Sequence, residues 1–441
     1  MQNKFLSTFC LALVLVAANA ADSSLEKFHP TPAPRPVRGQ LKAGDRLAIC
    51  GDSITEQKMY SRLMEDYLTM CVPQLGVTVR QYGWSGERAP GFLKRMTNDC
   101  LRFKPTLATT CYGMNDHEYR AYEPRIGETY RSNSVAIVRA FKAAGARVVQ
   151  GSAGCVGKVP FWTRSGSNTL DDLNQNLCTL RNIGVEIARQ EKVGFADVFW
   201  PMMVTGAEGR ACYGTNFLIA GNDGVHPGWA GHAIMAYAFL KSFGLDGNIG
   251  TFTVDLKRGT LKTSAGHELV SASNGEFTIK SSRYPFCDCA RNSGTNKSSY
   301  PDCNLPAGKE TDSIHAVLAK FDDELNRFTL VVKDARAANY SVTWGTATKQ
   351  FTGAQLRKGI NLAAEFQPNP FTDAFARVDA AVAAKQAYET KQIKQVFHGD
   401  EGKRDMAAAV ERTEKEREPL AAAIKAAFVP VTHTLKIAQA D

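Results

Sequence analysis

The sequence predicts a three-layer α/β domain, then a β-rich module, then a helical C-terminal segment. Three observations carry this. Short apolar strands alternate with amphipathic helices over residues 45–246, turn-punctuated alternating segments fill 247–365, and an Ala-, Lys- and Glu-rich helical pattern occupies 366–441. Alternation of strand and helix implies a parallel sheet with right-handed crossovers and helices on both faces.

At the N-terminus, Lys4 precedes an apolar run from Phe5 to Ala18 that ends in Ala18-Asn19-Ala20. A basic residue, a short apolar stretch and a small-x-small site are the marks of a secretory signal peptide, here residues 1–20. The run is shorter than the ~20 residues a membrane span needs, and no second run of that kind follows. The expectation is a secreted or periplasmic protein without stable membrane insertion. Residues 21–44 contain His29-Pro-Thr-Pro-Ala-Pro-Arg-Pro36 and read as an extended, Pro-rich lead-in.

The first strand, Leu47 to Cys50, runs into Gly51-Asp52-Ser53-Ile54-Thr55-Glu56, and a helix follows over Tyr60 to Met70, with Leu63, Met64, Tyr67 and Leu68 on one face. Further strands are expected over Val77–Tyr82, Pro105–Tyr112, Arg147–Gln150 and Gly194–Phe199, with a helix over Tyr130–Ala144. In the second module, Gly250–Asp255, Gly275–Lys280, Arg327–Lys333 and Tyr340–Trp344 read as antiparallel strands. Helical periodicity over Pro370–Phe428 breaks near His398-Gly-Asp-Glu-Gly402.

Composition is that of an ordinary globular chain: 441 residues, 44% hydrophobic and 22% charged, which excludes disorder, collagen and coiled-coil rods. Lys plus Arg number 53 against 44 Asp plus Glu, but the excess of +9 is spread along the sequence, so no nucleic-acid partner is expected. Cleavage of the leader would remove Cys10 and leave ten of the 11 cysteines. An even number in an exported protein favours disulfides. The trio Cys287, Cys289 and Cys303 has a C-x-C spacing unlike that of zinc sites and no obvious fourth ligand, so no metal is expected. Cys50 and Cys111, at the ends of apolar stretches, read as small buried hydrophobes.

The chemistry is concentrated in four segments. Gly51-Asp52-Ser53 sits where a strand gives way to a helix, the edge at which open α/β sheets bind ligands. Tyr82-Gly-Trp-Ser-Gly-Glu87 and Tyr112-Gly-Met-Asn-Asp116 each follow a strand, and Asn222-Asp-Gly-Val-His-Pro227 precedes a helical stretch. In this order the four blocks resemble the SGNH/GDSL hydrolase superfamily. The resemblance implies a three-layer, flavodoxin-like domain. It also implies Ser53 as nucleophile, His226 as base and Asp223 as its orienting partner, with the Ser53 and Gly86 N–H groups and the Asn115 amide as an oxyanion hole. No cofactor is implied, since every group is protein.

Trp84, Glu87 and His117 border the expected cleft and are candidate substrate-binding residues, His117 reading equally as a solvated loop histidine, while Glu56, Glu87 and Arg88 can bind polar substrate groups or pair with one another. Asp52 is expected to hold the turn rather than to act as an acid, and His232 to lie within the following helix. Trp84, Trp162, Trp200 and Trp229 fall in loops or edges of the first domain, where indoles can stack on sugar rings or fill the core. No long apolar lid lies between the blocks. These features favour a secreted esterase that deacetylates polysaccharide through an acyl-enzyme, with an acylated carbohydrate as partner. The alternatives are a lipid or aryl esterase or lysophospholipase of the same superfamily, and a non-catalytic glycan-binding protein whose β-rich module, with Phe252, Tyr284, Phe286 and Trp344, grips the glycan.

Overall fold

The computed structural model describes residues 25–37, 39–163, 168–215, 217–287 and 315–440. The expected signal peptide lies outside them. The first domain is built on five parallel strands, β1 (Arg46–Gly51), β2 (Thr78–Gly83), β3 (Leu107–Cys111), β4 (Arg147–Gly151) and β5 (Gly194–Ala196), in the order β2-β1-β3-β4-β5. Every β3 residue is buried, as are all of β1 except its first, as a central parallel strand between two helical layers requires. The order reverses between β1 and β3, so the crevice at their carboxyl ends is the natural ligand site of this topology.

Helices α1 (Ser53–Glu56), α2 (Tyr60–Met70), α3 (Ala89–Asp99), α4 (Pro124–Ala143), α5 (Leu170–Glu191), α6 (Phe199–Tyr213) and α7 (Trp229–Ser242) cover the sheet. The fifth strand is shorter than expected. Ser152 Oγ takes the Val198 and Phe199 N–H groups, both at 3.0 Å, and Asp197 Oδ1 takes that of Trp200, so Phe199 opens a helix instead.

The second module contains a four-stranded sheet of β6 (Asn248–Asp255), β7 (Thr260–Thr263), β10 (Arg327–Lys333) and β13 (Ile360–Asn361). It also contains a five-stranded sheet of β8 (His267–Ser273), β9 (Glu276–Ser281), β11 (Asn339–Trp344), β12 (Ala347–Thr352) and β14 (Val431–Ala440). Two expectations need correction. Strands β6 and β10 are parallel rather than antiparallel, their connection being long enough for a crossover that includes the helix α8 (His315–Leu325). The C-terminal segment is also not helical throughout: β14 buries His433, Leu435 and Ile437 at alternate positions and lies between β11 and β9. A boundary at 365/366 therefore divides pieces of one sheet.

Phe252, Tyr284, Phe286 and Trp344 are buried, and Trp344 packs on Phe328, Phe366 and Phe371. These aromatics brace the core and present no ladder to a glycan. The two modules are joined by Tyr67, whose hydroxyl donates to Leu325 O at 2.7 Å and whose ring meets Phe286 and Phe321.

The rest of the C-terminal segment comprises α9 (Gly353–Lys358), α10 (Leu362–Glu365), α11 (Thr372–Lys391), a π-helical turn (Gln392–Phe397), α12 (Asp400–Arg404) and α13 (Met406–Ala427). Helices α11 and α13 lie along β2, the open edge of the parallel sheet. There Lys385 Nζ donates to Val79 O at 2.6 Å, Arg417 Nη2 to the same oxygen at 3.2 Å, and the Gln81 N–H to Glu389 Oε2 at 3.2 Å. The edge strand is thereby closed by side chains.

The expected disulfides are not formed among the described cysteines. Cys50, Cys71, Cys100, Cys111, Cys155 and Cys178 are buried free thiols, as was expected for Cys50 and Cys111 alone, and Cys287 is buried with its Sγ against the Asn369 amide. They act as small apolar groups with weak donors: Cys178 Sγ donates to Phe28 O at 3.0 Å and Cys111 Sγ to Ser152 O at 3.4 Å. Cys289 and Cys303 lie outside the described residues.

One polar chain crosses the sandwich. Trp344 Nε1–H can only donate, so His433 Nδ1 accepts it at 3.1 Å, and His433 Nε2–H donates to Ser281 Oγ at 2.9 Å. The Ser281 hydroxyl then donates to His267 Nδ1 at 2.8 Å, and His267 Nε2–H to Ile249 O at 3.0 Å. Each link fixes the next, and both imidazoles are neutral. Burial lowers His267 to about 4, with the Arg283 charge adding to the effect, and lowers His433 to about 3, with His267 adding. Both values lie below that of an unfolded histidine, so the unfolded chain binds more protons, and stability falls as pH drops below ~6.5 at about 1.4 kcal/mol per pH unit per group. The thermal midpoint of the wild type is therefore expected to fall from pH 6.5 to pH 4.5 more steeply than that of the double variant His267→Gln/His433→Gln. Parallel melting curves would contradict this assignment.

Candidate active site

Four loops meet at the carboxyl edge of β1 and β3. The chain leaves β1 at Gly51, Asp52 caps α1 by accepting the Ile54 N–H at 3.0 Å, and Ser53 is the first residue of that helix. Strand β2 comes close beside it: a Cβ on Gly83 would lie 2.1 Å from Glu56 N, so only glycine lets β2 and α1 approach this closely. Gly86, three residues on, has φ +73°, and a Cβ there would meet nothing within 4 Å, so glycine is needed for the turn rather than for space.

Ser53 Oγ lies 2.8 Å from His226 Nε2, and His226 Nδ1 lies 2.7 Å from Asp223 Oδ2. Asp223 Oδ1 accepts the N–H groups of Val225 and His226, both at 2.8 Å, which folds the loop so that carboxylate and imidazole face each other. Partial burial pushes the Asp223 carboxyl up, but those N–H groups and the imidazole outweigh it and hold the group below its ordinary value. Asp223 is thus ionised at neutral pH. It fixes the proton on Nδ1, so Nε2 is free to accept the serine proton.

Asn115 is held at both ends of its amide. Nδ2 donates one hydrogen to Glu87 O at 3.1 Å, and Tyr119 OH donates to Oδ1 at 3.1 Å. Asp116 ties the two loops together, taking the Ala89 N–H on one oxygen and the Gly113 N–H on the other, each at 3.0 Å. Burial raises Asp116 to about 6 against the pull of those N–H groups, and raises Asp52 to about 7. Neither faces the serine as an acid, and Asp52 holds the turn as expected.

Ser53, His226 and Asp223 are therefore in contact, and the Gly86 and Asn115 loops are tied to each other, whereas Glu87, His117 and Trp84 turn away. The Glu87 carboxylate points into the core, where Arg95 grips both oxygens at 2.7 Å and Tyr112 OH donates at 2.9 Å. His117 is fully buried, with Nδ1 on Met114 O and its ring against Tyr119; burial lowers it to about 4. Trp84 packs on the C-terminal segment, its ring 4.9 Å from that of His398 and 5.1 Å from Lys394 Nζ. None of the three lines the cleft, because each has a stronger partner inside the protein.

Arg88 pairs with Glu118, and Glu56 with Lys394 and the Ser85 N–H. His232 accepts the Tyr60 N–H and contacts Gln57, within the helix after the site. Among the tryptophans, Trp229 is buried and Trp200 partly so, while Trp162 stands beside the imidazole, 6.2 Å between ring centres. Lys394 and His398, which sequence reasoning did not connect with the site, arrive from the C-terminal segment.

A Ser–His–Asp relay at the switch point of a 2-1-3-4-5 sheet, beside two converging donor loops, defines a serine hydrolase of the α/β class. Residues 49–234 match the model of the GDSL-like Lipase/Acylhydrolase family, which identifies this domain as an ester-bond hydrolase of SGNH/GDSL type. An acetylxylan esterase of Geobacillus stearothermophilus is 26% identical over 226 residues, 47% of this chain and 97% of the relative. The crystal structure of Axe2, an acetylxylan esterase from the same organism, covers 47% of this chain and 97% of its own at 19% identity and a TM-score of 0.38. A gut microbial diltiazem-metabolizing enzyme covers 92% of this chain and 99% of its own, with a TM-score of 0.69 and 20% identity. That likeness in fold includes the sandwich and the C-terminal helices.

The Glu87–Arg95 pair carries a structural prediction. Removing one partner of a buried ion pair leaves the other charge uncompensated and costs about 3 kcal/mol or more. Glu87→Ala should lower the denaturant midpoint accordingly. An unchanged midpoint would show that Asp99, 3.2 Å from Arg95, supports the guanidinium alone.

Proposed function

We propose that this hydrolase removes short acyl groups, acetyl foremost, from polysaccharide after export. The observation that carries this reading is the position of Trp162. The leaving alcohol of an ester takes its proton from the imidazole, so a group beside His226 stands where the alcohol portion departs. An indole there, 38% exposed and with Tyr119 against it, offers a stacking face for a sugar ring. The similarity to an acetylxylan esterase supports the same reading, as does the leader read at residues 1–20.

In the mechanism, Ser53 Oγ attacks the acyl carbon as His226 Nε2 takes its proton, and Asp223 stabilises the imidazolium. The Ser53 and Gly86 N–H groups and Asn115 Nδ2 receive the oxyanion. Collapse breaks the bond to the sugar oxygen, which leaves with the proton from His226. Water, deprotonated by the same imidazole, then hydrolyses the acyl-enzyme, and the proton returns to Ser53 as carboxylic acid departs.

A second reading, an aryl or longer-chain esterase, draws on exposed Val159 and Phe161, which extend the apolar rim beside Trp162. Acetate release from acetylated polysaccharides, with p-nitrophenyl esters of rising chain length in parallel, separates the two. The expected result is acetate release that Ser53→Ala abolishes and Trp162→Ala weakens through KM, with little change on p-nitrophenyl acetate. Activity confined to esters beyond about four carbons would favour the second reading, and full activity of Ser53→Ala would remove both. Asn115→Ala should lower kcat on the order of 100-fold or more with KM little changed, the signature of an oxyanion donor.

A further inference from the structure

We infer that the C-terminal segment is a positioning element of the active site, with Lys394 setting the loop that presents the Gly86 N–H; this rests on the serine-esterase reading above. The loop Trp84–Glu87 leaves an edge strand and turns through a glycine, so little in its own backbone fixes it. Its ties to the α/β domain are the Trp84 N–H to Gly51 O at 3.0 Å, the Asn115 amide on Glu87 O at 3.1 Å, the Ser85 N–H on Glu56, the Arg95 guanidinium over the Trp84 ring and the inward-facing Glu87. The remaining support comes from the π-helical turn and its neighbours, some 300 residues later in the sequence.

Lys394 acts on both sides of the crevice. Its ammonium lies 2.8 Å from Glu56 Oε1, and the other oxygen of that carboxylate takes the Ser85 N–H, immediately before Gly86. Glu56 belongs to the same short helix as Ser53, so one carboxylate links the serine helix, the oxyanion loop and the C-terminal segment. Partial burial would raise Glu56, but Lys394 and the Ser85 N–H outweigh it and keep the carboxyl below its ordinary value.

The same ammonium lies 5.1 Å from the centre of the Trp84 ring, and the Arg95 guanidinium is also 5.1 Å from it. His398, just beyond the π turn, meets the indole edge to face and places Nε2 2.8 Å from Asp99 Oδ2, the oxygen that Arg95 Nη1 reaches at 3.2 Å. The π turn itself is closed by the His398 N–H on Ile393 O, five residues back. This wider turn is an irregularity that recurs at functional sites. Here it carries Lys394 and leads into His398, the contacts that the C-terminal segment makes to Trp84. These contacts do not touch substrate: they hold the loop that does.

The test is Lys394→Met beside Lys394→Arg, Ser53→Ala and a control in the same segment, Arg412→Met, whose guanidinium pairs on the surface with Glu401 and Glu416. Displacing an oxyanion donor by a fraction of an ångström to an ångström costs on the order of 10- to 100-fold in rate. Lys394→Met is expected to lower kcat on p-nitrophenyl acetate by about that factor with KM within about two-fold, Lys394→Arg to restore most of it, and Arg412→Met to match wild type. Inhibition by methylboronic acid, which forms a tetrahedral adduct on the serine, should weaken in parallel with kcat in Lys394→Met. Loss of general folding would lower the active fraction but leave the affinity of the remaining sites unchanged.

Wild-type kcat and boronate affinity in Lys394→Met, with Ser53→Ala inactive, would overturn the positioning role and leave the esterase reading intact. Activity in Ser53→Ala would instead overturn the reading on which it rests. Should Lys394→Met lose its cooperative melt, Lys394→Gln carries the same expectations for kcat and boronate affinity, and wild-type values there overturn the role.

Discussion

The active site depends on how the outer edge of β2 is closed. This strand leads into the Gly86 loop and has no neighbouring strand on one side among the described residues, and an unpaired edge costs buried hydrogen-bonding capacity and invites association. Helices α11 and α13 close it with charge. Lys385, almost fully buried, bonds the strand and pairs with Glu65 and Glu389 at 3.0 Å, and Arg417 pairs with Glu389 at 2.6 Å. Burying such a set is costly unless every charge is paired and bonded, and here backbone and side chains complete one another. With the edge closed, the same helical segment can continue past the end of β2 and meet the catalytic crevice.

Around the serine, three aspartates show how environment rather than residue type assigns a role. Asp223 receives two backbone N–H groups and an imidazole while half-buried, and stays charged. Asp116 also receives two N–H groups, but in a buried setting its value rises, and it serves as a clamp between the Gly86 and Asn115 loops. Asp52, buried deeper still, is a helix cap. Burial sets these outcomes as much as hydrogen-bond count does.

The parallel sheet and the contact of Ser53 with His226 and Asp223 were legible because each lies within a short block whose local pattern, strand then turn, fixes where the side chain goes. What long-range packing decides was not legible. Nothing in Trp84, Glu87 or His117 distinguishes a cleft residue from one claimed by His398, Arg95 or Met114. The pairing of β14 with β11 and β9 joins segments far apart in sequence, although the alternation of His433, Leu435 and Ile437 could have suggested a strand. Helix α5 also escaped notice, yet Thr169 and Asp172 form a capping box ahead of Leu173, Leu177 and Leu180. The cysteines misled because number and compartment favour disulfides, while the fold uses the described thiols as filling.

The place of β14 between β11 and β9 bears on how the protein is made. Ribosomes deliver chains N-terminus first, at about 5–20 residues per second. The five-stranded sheet stays in two halves until residues 431–440 emerge, and the β14–β9 pairs that complete it join residues 150 to 160 apart, the kind of pairing that slows folding. The helices that close β2 arrive only shortly before. Until these segments have emerged the sheet is incomplete, and the loop beside the serine lacks the contacts that hold it.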